Sequence, residues 1–276
     1  RDRSPSRGLG DVYKRQTLHT VSRLSSGELV PRFATDVSDV SERVESLEGA
    51  VRDWSRDTNY PAEHGMALLD MCFGGCVMLV KQGVRRGYES SLTTPARTPS
   101  VRWFDPTLWG CDPLAATYDS IRYAYHICID IRGDLEAMSA RDKTWNLEAI
   151  REMRPDRVSP YRDGTPLEID RQEVAYIQMW VPGHTLPDSD EIMKTIPRSE
   201  RGKYHGTVFT FASCEGKTGT GKFMVAREIR RPMPYFGPRE GPYIYEGFLS
   251  VPRKVRKTSP LISCDGQLRQ LNAQAL

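Results

Sequence analysis

Residues Pro232 to Pro252, PMPYFGPREGPYIYEGFLSVP, hold five prolines, three glycines and five aromatic rings. No helix can run through them: each proline removes a backbone donor, and its ring drives the preceding residue out of the α conformation. The rings of Tyr235, Phe236, Tyr243, Tyr245 and Phe248 are equally out of place in a solvated linker, because each carries a large apolar surface that gains from burial. The segment predicts an ordered, extended arm packed on something. It leads into a basic run, Arg253-Lys254-Val255-Arg256-Lys257, and then through Ser259-Pro260-Leu261 into a helix-like end.

At the other end, residues 6–16, SRGLGDVYKRQ, read as translated sequencing adapter. Residues 1–16 are therefore set apart from the fold as a sequencing artefact, with a natural basic arm as the alternative, and 17–35 as a flexible N-terminal segment. The separation changes the electrostatics. The chain holds 39 Lys+Arg against 36 Asp+Glu, but residues 1–16 contribute five basic and two acidic residues, so the remainder balances at 34 of each. Overall basicity is then no argument for nucleic-acid binding.

The length suits one large domain or two smaller ones. No apolar run reaches the roughly 18–20 residues of a membrane-spanning helix. Six cysteines (72, 76, 111, 128, 214 and 264) are scattered without paired spacing and read as reduced thiols.

Hydrophobic spacing gives the elements. Val37, Val40, Val44, Leu47, Val51 and Trp54 recur at intervals of three and four, one stripe of a helix from Asp36 to Arg56. Pro61 opens a second helix with Ala62, Met66, Leu69 and Phe73 on one face, ended by Gly74-Gly75. Cys76 to Val80 reads as a buried strand with Gln82-Gly83 as its turn, 84–100 as a surface loop or hairpin tip, and Val101 to Phe104 as a short strand. Leu114 to Tyr125 is consistent with a helix, His126 to Ile131 with a strand, and Asp134 to Ala140 with a short helix. Asn146 to Met153 forms another helix, with Thr144 as cap and Leu147 and Ile150 inward. Residues 154–170 read as loop. Glu173 to Val181, EVAYIQMWV, is rich in β-formers. After a loop from Pro182 to Pro197, Gly206 to Ala212 and Lys222 to Ile229 form two strands around a Gly/Lys/Thr turn. The fold class is α+β, with N-terminal helices and a later antiparallel sheet.

The aromatic arm, the Val251-Pro252 step and Ser259-Pro260-Leu261 together resemble a segment of tailed-bacteriophage portal (head-to-tail connector) proteins. The resemblance extends back to about Val37. It implies a portal wing-like α+β domain over 36–257 and the start of a helix leading toward the stem over 258–276. On that resemblance the family's stem, clip and crown would be missing from these residues. It further implies a structural subunit without catalysis of its own or a cofactor, in a dodecameric ring at the capsid vertex of the virion, assembled in the host cytoplasm. The implied partners are terminase, capsid and head-completion proteins, with double-stranded DNA passing through without sequence specificity, and no membrane.

Other chemistry is weighed beside this. Gly216-Lys-Thr-Gly-Thr-Gly221-Lys222 has the spacing of a phosphate-cradling loop and offers an alternative, a nucleotide-binding enzyme. Phe223 stands where a Ser/Thr hydroxyl should meet magnesium, however, and FMVAREI has strand rather than helix character. A hairpin turn explains the same glycines and threonines. A further alternative is another virion adaptor protein. Cys72 and Cys76 lie one helical turn apart without nearby partners, and His64, His126, His184 and His205 are isolated in sequence. Asp188, Asp190 and Glu191 read as a solvated loop. The candidate contacts to DNA or to a neighbouring subunit are therefore Arg253, Lys254, Arg256 and Lys257, with Tyr235, Phe236, Tyr243 and Tyr245 of the arm. A solvated strand edge accounts for the basic run equally well.

Overall fold

The computed structural model describes residues 17, 19, 21, 41–84, 97–154, 172–186, 189–218 and 221–259. Residues 1–16, most of 17–40, and 260–276 lie outside that set, and with them the adapter-like segment, the start of the first helix and nearly all of the expected C-terminal helix. The chain divides into two compact units, one of residues 1–106 and 242–276, the other of residues 107–241. Both combine helices with antiparallel sheet, so the class is α+β. The span 36–257 takes in parts of both units.

In the first unit, α1 (Ser41–Asp57) and α2 (Tyr60–Phe73) precede β1 (Cys76–Val84) and β2 (Arg97–Phe104). β1 pairs antiparallel with β2 from Val77↔Phe104 to Val84↔Arg97. Gln82 and Gly83 therefore lie inside a strand and not in a turn, because β2 begins four residues earlier than its apolar core suggests and supplies partners as far as Arg97. The other edge of β1 takes β8 (Tyr243–Glu246), with Val77 opposite Tyr245.

The face of α2 differs from the expected one. Ala67, Leu68 and Cys72 are buried, while Met66 and Phe73 are 44% and 64% exposed. Ala67 packs with Cys76 and Met78, and Tyr60, Met71, Val101 and Trp103 close around them. The cause is polar. The carboxylate of Glu63 accepts from the backbone nitrogen of Trp103 (2.7 Å), and that of Asp70 accepts from its indole nitrogen. Glu63, Ala67, Asp70 and Met71 share one helical stripe, so these two bonds rotate the helix away from the face that apolar residues alone select.

The second unit is a five-stranded antiparallel sheet in the order β3-β4-β5-β6-β7, where β3 is Trp109–Cys111, β4 Ala124–Ile131, β5 Glu173–Pro182, β6 Gly206–Thr218 and β7 Gly221–Tyr235. Residues 114–125 form no helix. Asp112 accepts from the Leu114 nitrogen and from the Arg122 guanidinium, and Thr117 and Ser120 make a capping box around a 3-10 turn at Tyr118–Ser120. These side-chain bonds to nearby groups offer the backbone an alternative to a helix.

β4 passes directly into α3 (Arg132–Arg141). α4 (Leu147–Arg151) is capped by Asn146, whose side chain accepts from the Ala149 nitrogen at 3.1 Å. Thr144 instead receives the Arg230 guanidinium at 3.0 Å. Ile150 is fully buried, but Leu147 faces out. α3 and α4 cover one sheet face: Leu135, Trp145, Ala149, Ile150 and Met153 meet Val174, Tyr176, Ala212, Cys214 and Ile229. Fully burying such side chains stabilises by ~1.5–3 kcal/mol each. The stretch after β5 holds a 3-10 turn at Gly183–Thr185 and α5 (Ser189–Thr195) where the sequence suggested only loop. The expected loop at 154–170 lies, beyond Arg154, outside the described residues.

The Pro/Gly/aromatic segment is extended as expected, but in two pieces. Pro232 to Tyr235 ends β7, an edge strand, where a missing proline donor breaks no interior ladder. Tyr243 to Glu246 is β8 of the first unit. Two short strands, β9 (Leu249–Ser250) and β10 (Lys257–Thr258), pair antiparallel and carry the basic run between them.

Candidate functional site

The basic run sits on a tight hairpin. Between β9 and β10, the Lys254 nitrogen donates to Val251 O (3.2 Å) and the Val251 nitrogen to Arg256 O (3.4 Å). Val255 is buried and pins the loop, and the Lys257 nitrogen donates to the Tyr245 hydroxyl at 2.9 Å. Arg253 adopts φ +59°, the left-handed region that long side chains rarely occupy. Arg253, Lys254 and Arg256 are exposed and none is paired with a carboxylate among the described residues. Lys257 is different: it is half-buried, and its Nζ donates to Ser250 Oγ at 3.1 Å.

The aromatic candidates divide between the two units. Tyr243 is 3% exposed in β8 and belongs to the core of the first unit, and Tyr245 is committed to Lys257. Tyr235 and Phe236 lie in the second unit, Phe236 exposed and Tyr235 packed edge-on against Trp180 at 6.1 Å between ring centroids.

Trp180 is the centre of a feature that the sequence does not announce. A cleft of about 690 Å³ opens in the second unit. Tyr118 and Ile121 border it from the turn before β4, Trp180 and Pro182 from β5, Met193 from α5, and Tyr204 from the approach to β6. Asp119, Arg239 and Glu240 add charge, and His184 and His205, isolated in sequence, meet here. Trp180 is 2% exposed, with its indole nitrogen and the Tyr235 hydroxyl both buried without a hydrogen-bond partner. Two glycines hold the indole: a Cβ on Gly206 (φ +157°) would fall 2.6 Å from Nε1, and one on Gly241 (φ +100°) 2.7 Å from the six-membered ring. Tyr204 exchanges a 2.7 Å hydrogen bond with Thr207. Burial drives the Tyr118 and Tyr235 hydroxyls well above the ordinary phenol range, so both are neutral; Tyr118 serves as an aromatic wall, and Tyr235 backs Trp180.

The glycine-rich candidate is a β-hairpin. Gly216 pairs with Phe223, Lys217 with Lys222 and Thr218 with Gly221, and β7 continues as strand to Tyr235. No helix N-terminus follows to receive a phosphate. Among the described residues no three His, Cys, Asp or Glu side chains group to hold a metal ion. The described cysteines are free thiols. Burial raises those of Cys72, Cys76 and Cys214 and takes Cys111 up to about 11, away from nucleophilic character. Asp188 is outside the described residues. No helix among the described residues is long and apolar enough to cross a membrane.

A further surface feature among the described residues is the sheet face opposite α3 and α4. Ile127, Ile177 and Phe211 line up across β4, β5 and β6, as do Tyr125, Met179 and Phe209. The two phenylalanines stack with planes 3° apart, Ile177 is exposed, and Ile129 and Ile131 on β4 are 45% and 43% exposed. An apolar sheet face of this kind marks a surface that gains from a partner.

No family model and no curated protein matches the chain.

Proposed function

We propose that this chain is a structural subunit of a phage portal, the ring at the capsid vertex through which double-stranded DNA is packaged and ejected. It assembles in the host cytoplasm and works with terminase, capsid and head-completion proteins. The portal identity rests on the resemblance of the aromatic arm and the Ser259-Pro260-Leu261 step. The observation that carries the assembly role is the apolar sheet face on which Ile129, Ile131 and Ile177 are exposed beside half-buried Phe209 and Phe211. Side chains of this kind contribute most when a second surface removes them from water. A chain that works by forming a ring keeps such surfaces for its neighbours.

Electron microscopy of the purified chain, alone and with a longer form continuing beyond residue 276, tests the reading. Closed rings with a channel admitting duplex DNA are expected. A species that stays monomeric at every concentration in both forms sinks it.

A further inference from the structure

The cleft around Trp180 and the hairpin carrying Arg253 have complementary chemistry. The cleft offers aromatic surface from half-buried Tyr118 and Tyr204, backed by the buried Trp180, with carboxylates from Asp119 and Glu240. Arg239 adjoins Glu240 in sequence and offsets it, which leaves Asp119 in excess; His184 and His205 also border the space. Aromatic faces beside a carboxylate suit a cation, and a planar guanidinium above all, because it stacks on a ring while donating at its edge. The volume, about 690 Å³, lies in the range of sites that enclose a ligand or inserted side chains.

The hairpin offers what such a cleft takes. Three exposed cations fall within four residues, on a loop whose backbone is fixed by its own hydrogen bonds and by buried Val255. Arg253 keeps its left-handed conformation at the tip of that loop. Strain of this kind persists where the surroundings impose it, and it concentrates at functional positions. A loop ordered before contact also loses less entropy on docking.

We propose that the Arg253–Arg256 hairpin of one copy docks into the Tyr118–Trp180–Tyr204 cleft of the next, as a repeating head-to-tail contact of the assembly. This rests on the ring reading above and specifies one of its interfaces. The two surfaces are different, so the contact is heterologous: each copy gives a hairpin and receives one, and the series closes where the rotation allows.

Reciprocal charge reversal on the full chain tests it. One variant carries Arg253→Glu, Lys254→Glu and Arg256→Glu; the other carries Asp119→Lys and Glu240→Lys. All five side chains are exposed, and unchanged circular dichroism and melting temperature verify that each variant folds. Self-association is followed by sedimentation velocity and mass photometry. Each variant alone should associate on the order of 100-fold more weakly than the wild type, through like-charge repulsion. An equimolar mixture should recover assembly, because each hairpin then meets a cleft of opposite sign. Wild-type assembly by either variant alone overturns the docking while leaving the ring reading intact, and so does a mixture that fails to recover. A wild type that remains monomeric overturns the docking, and where the longer form is monomeric as well it overturns the ring reading.

Discussion

The Trp103 indole nitrogen donates to the Asp70 carboxylate, which ties α2 to β2 across 33 residues of sequence. Removing the donor with Trp103→Phe leaves a half-buried carboxylate short of a partner and should destabilise the protein by about 1.5–3 kcal/mol, read from urea unfolding. Burial outweighs this bond and raises the Asp70 carboxyl above its ordinary value. A carboxyl raised on folding binds its proton more tightly in the native state, so its contribution improves as pH falls through the folded value. The wild type should therefore gain on Asp70→Asn between neutral pH and about pH 4. A gap that stays flat over that range contradicts the assignment.

Asp112 has the opposite sign. The hydrogen bond from Arg122 is the main influence holding its carboxyl down at about 2. Its contribution is complete above the ordinary carboxylate range and fades as pH drops toward 2. Asp112→Asn should thus be less stable than the wild type at neutral pH, with the difference closing in strong acid. Thermal melts of the pair from pH 7 downward measure this directly.

Arg132 is buried at the junction of β4 and α3, and its guanidinium donates to the carbonyls of Arg151 and Met153 at the end of α4. Arg132→Met keeps much of the volume but strands both carbonyls. A loss of about 2–4 kcal/mol is expected. Arg132→Lys should recover only part, since one ammonium cannot reproduce the forked geometry. Equal stability of the methionine variant and the wild type would mean that water satisfies those carbonyls.

Gly241 combines φ +100° with a ring edge where a Cβ would sit. Gly241→Ala must either displace Trp180 or leave the left-handed region, at a cost of about 2–4 kcal/mol. Because Trp180 lines the cleft, the emission of the variant should also shift relative to the wild type. A melting temperature within one degree of the wild type's (about 0.3 kcal/mol or less) would show that the indole moves freely.

Where sequence and structure agree, one local signal governs the backbone. β5 was legible because EVAYIQMWV alternates and its residues favour strands, and Gly74 likewise marks a helix end by its own chemistry, whereas the cap of α4 fell on Asn146 and not on Thr144. Disagreement arises where distant polar bonds decide. The face of α2 follows Trp103, thirty and more residues away. The turn at 112–122 follows an Asp112–Arg122 pair that helix periodicity does not register. The site was partly legible: the exposed cations of the hairpin are visible in the run Arg253–Lys257, whereas Lys257 is set apart by its strand pairing. The cleft was not legible, because Tyr118, Trp180, Met193, Tyr204 and Glu240 share no motif and come together only through the order of the strands.

The position of β8 has a consequence for synthesis on the ribosome. β1 lies between β2, made shortly after it, and β8, made only after residues 107–241 have emerged. For the time taken to translate that insertion, the buried strand Cys76–Leu79 presents one unpaired edge, the kind of surface that recruits other chains. A nascent chain stopped before Tyr243 should therefore be bound by chaperones or cleaved by protease, and one extended past Glu246 should be protected.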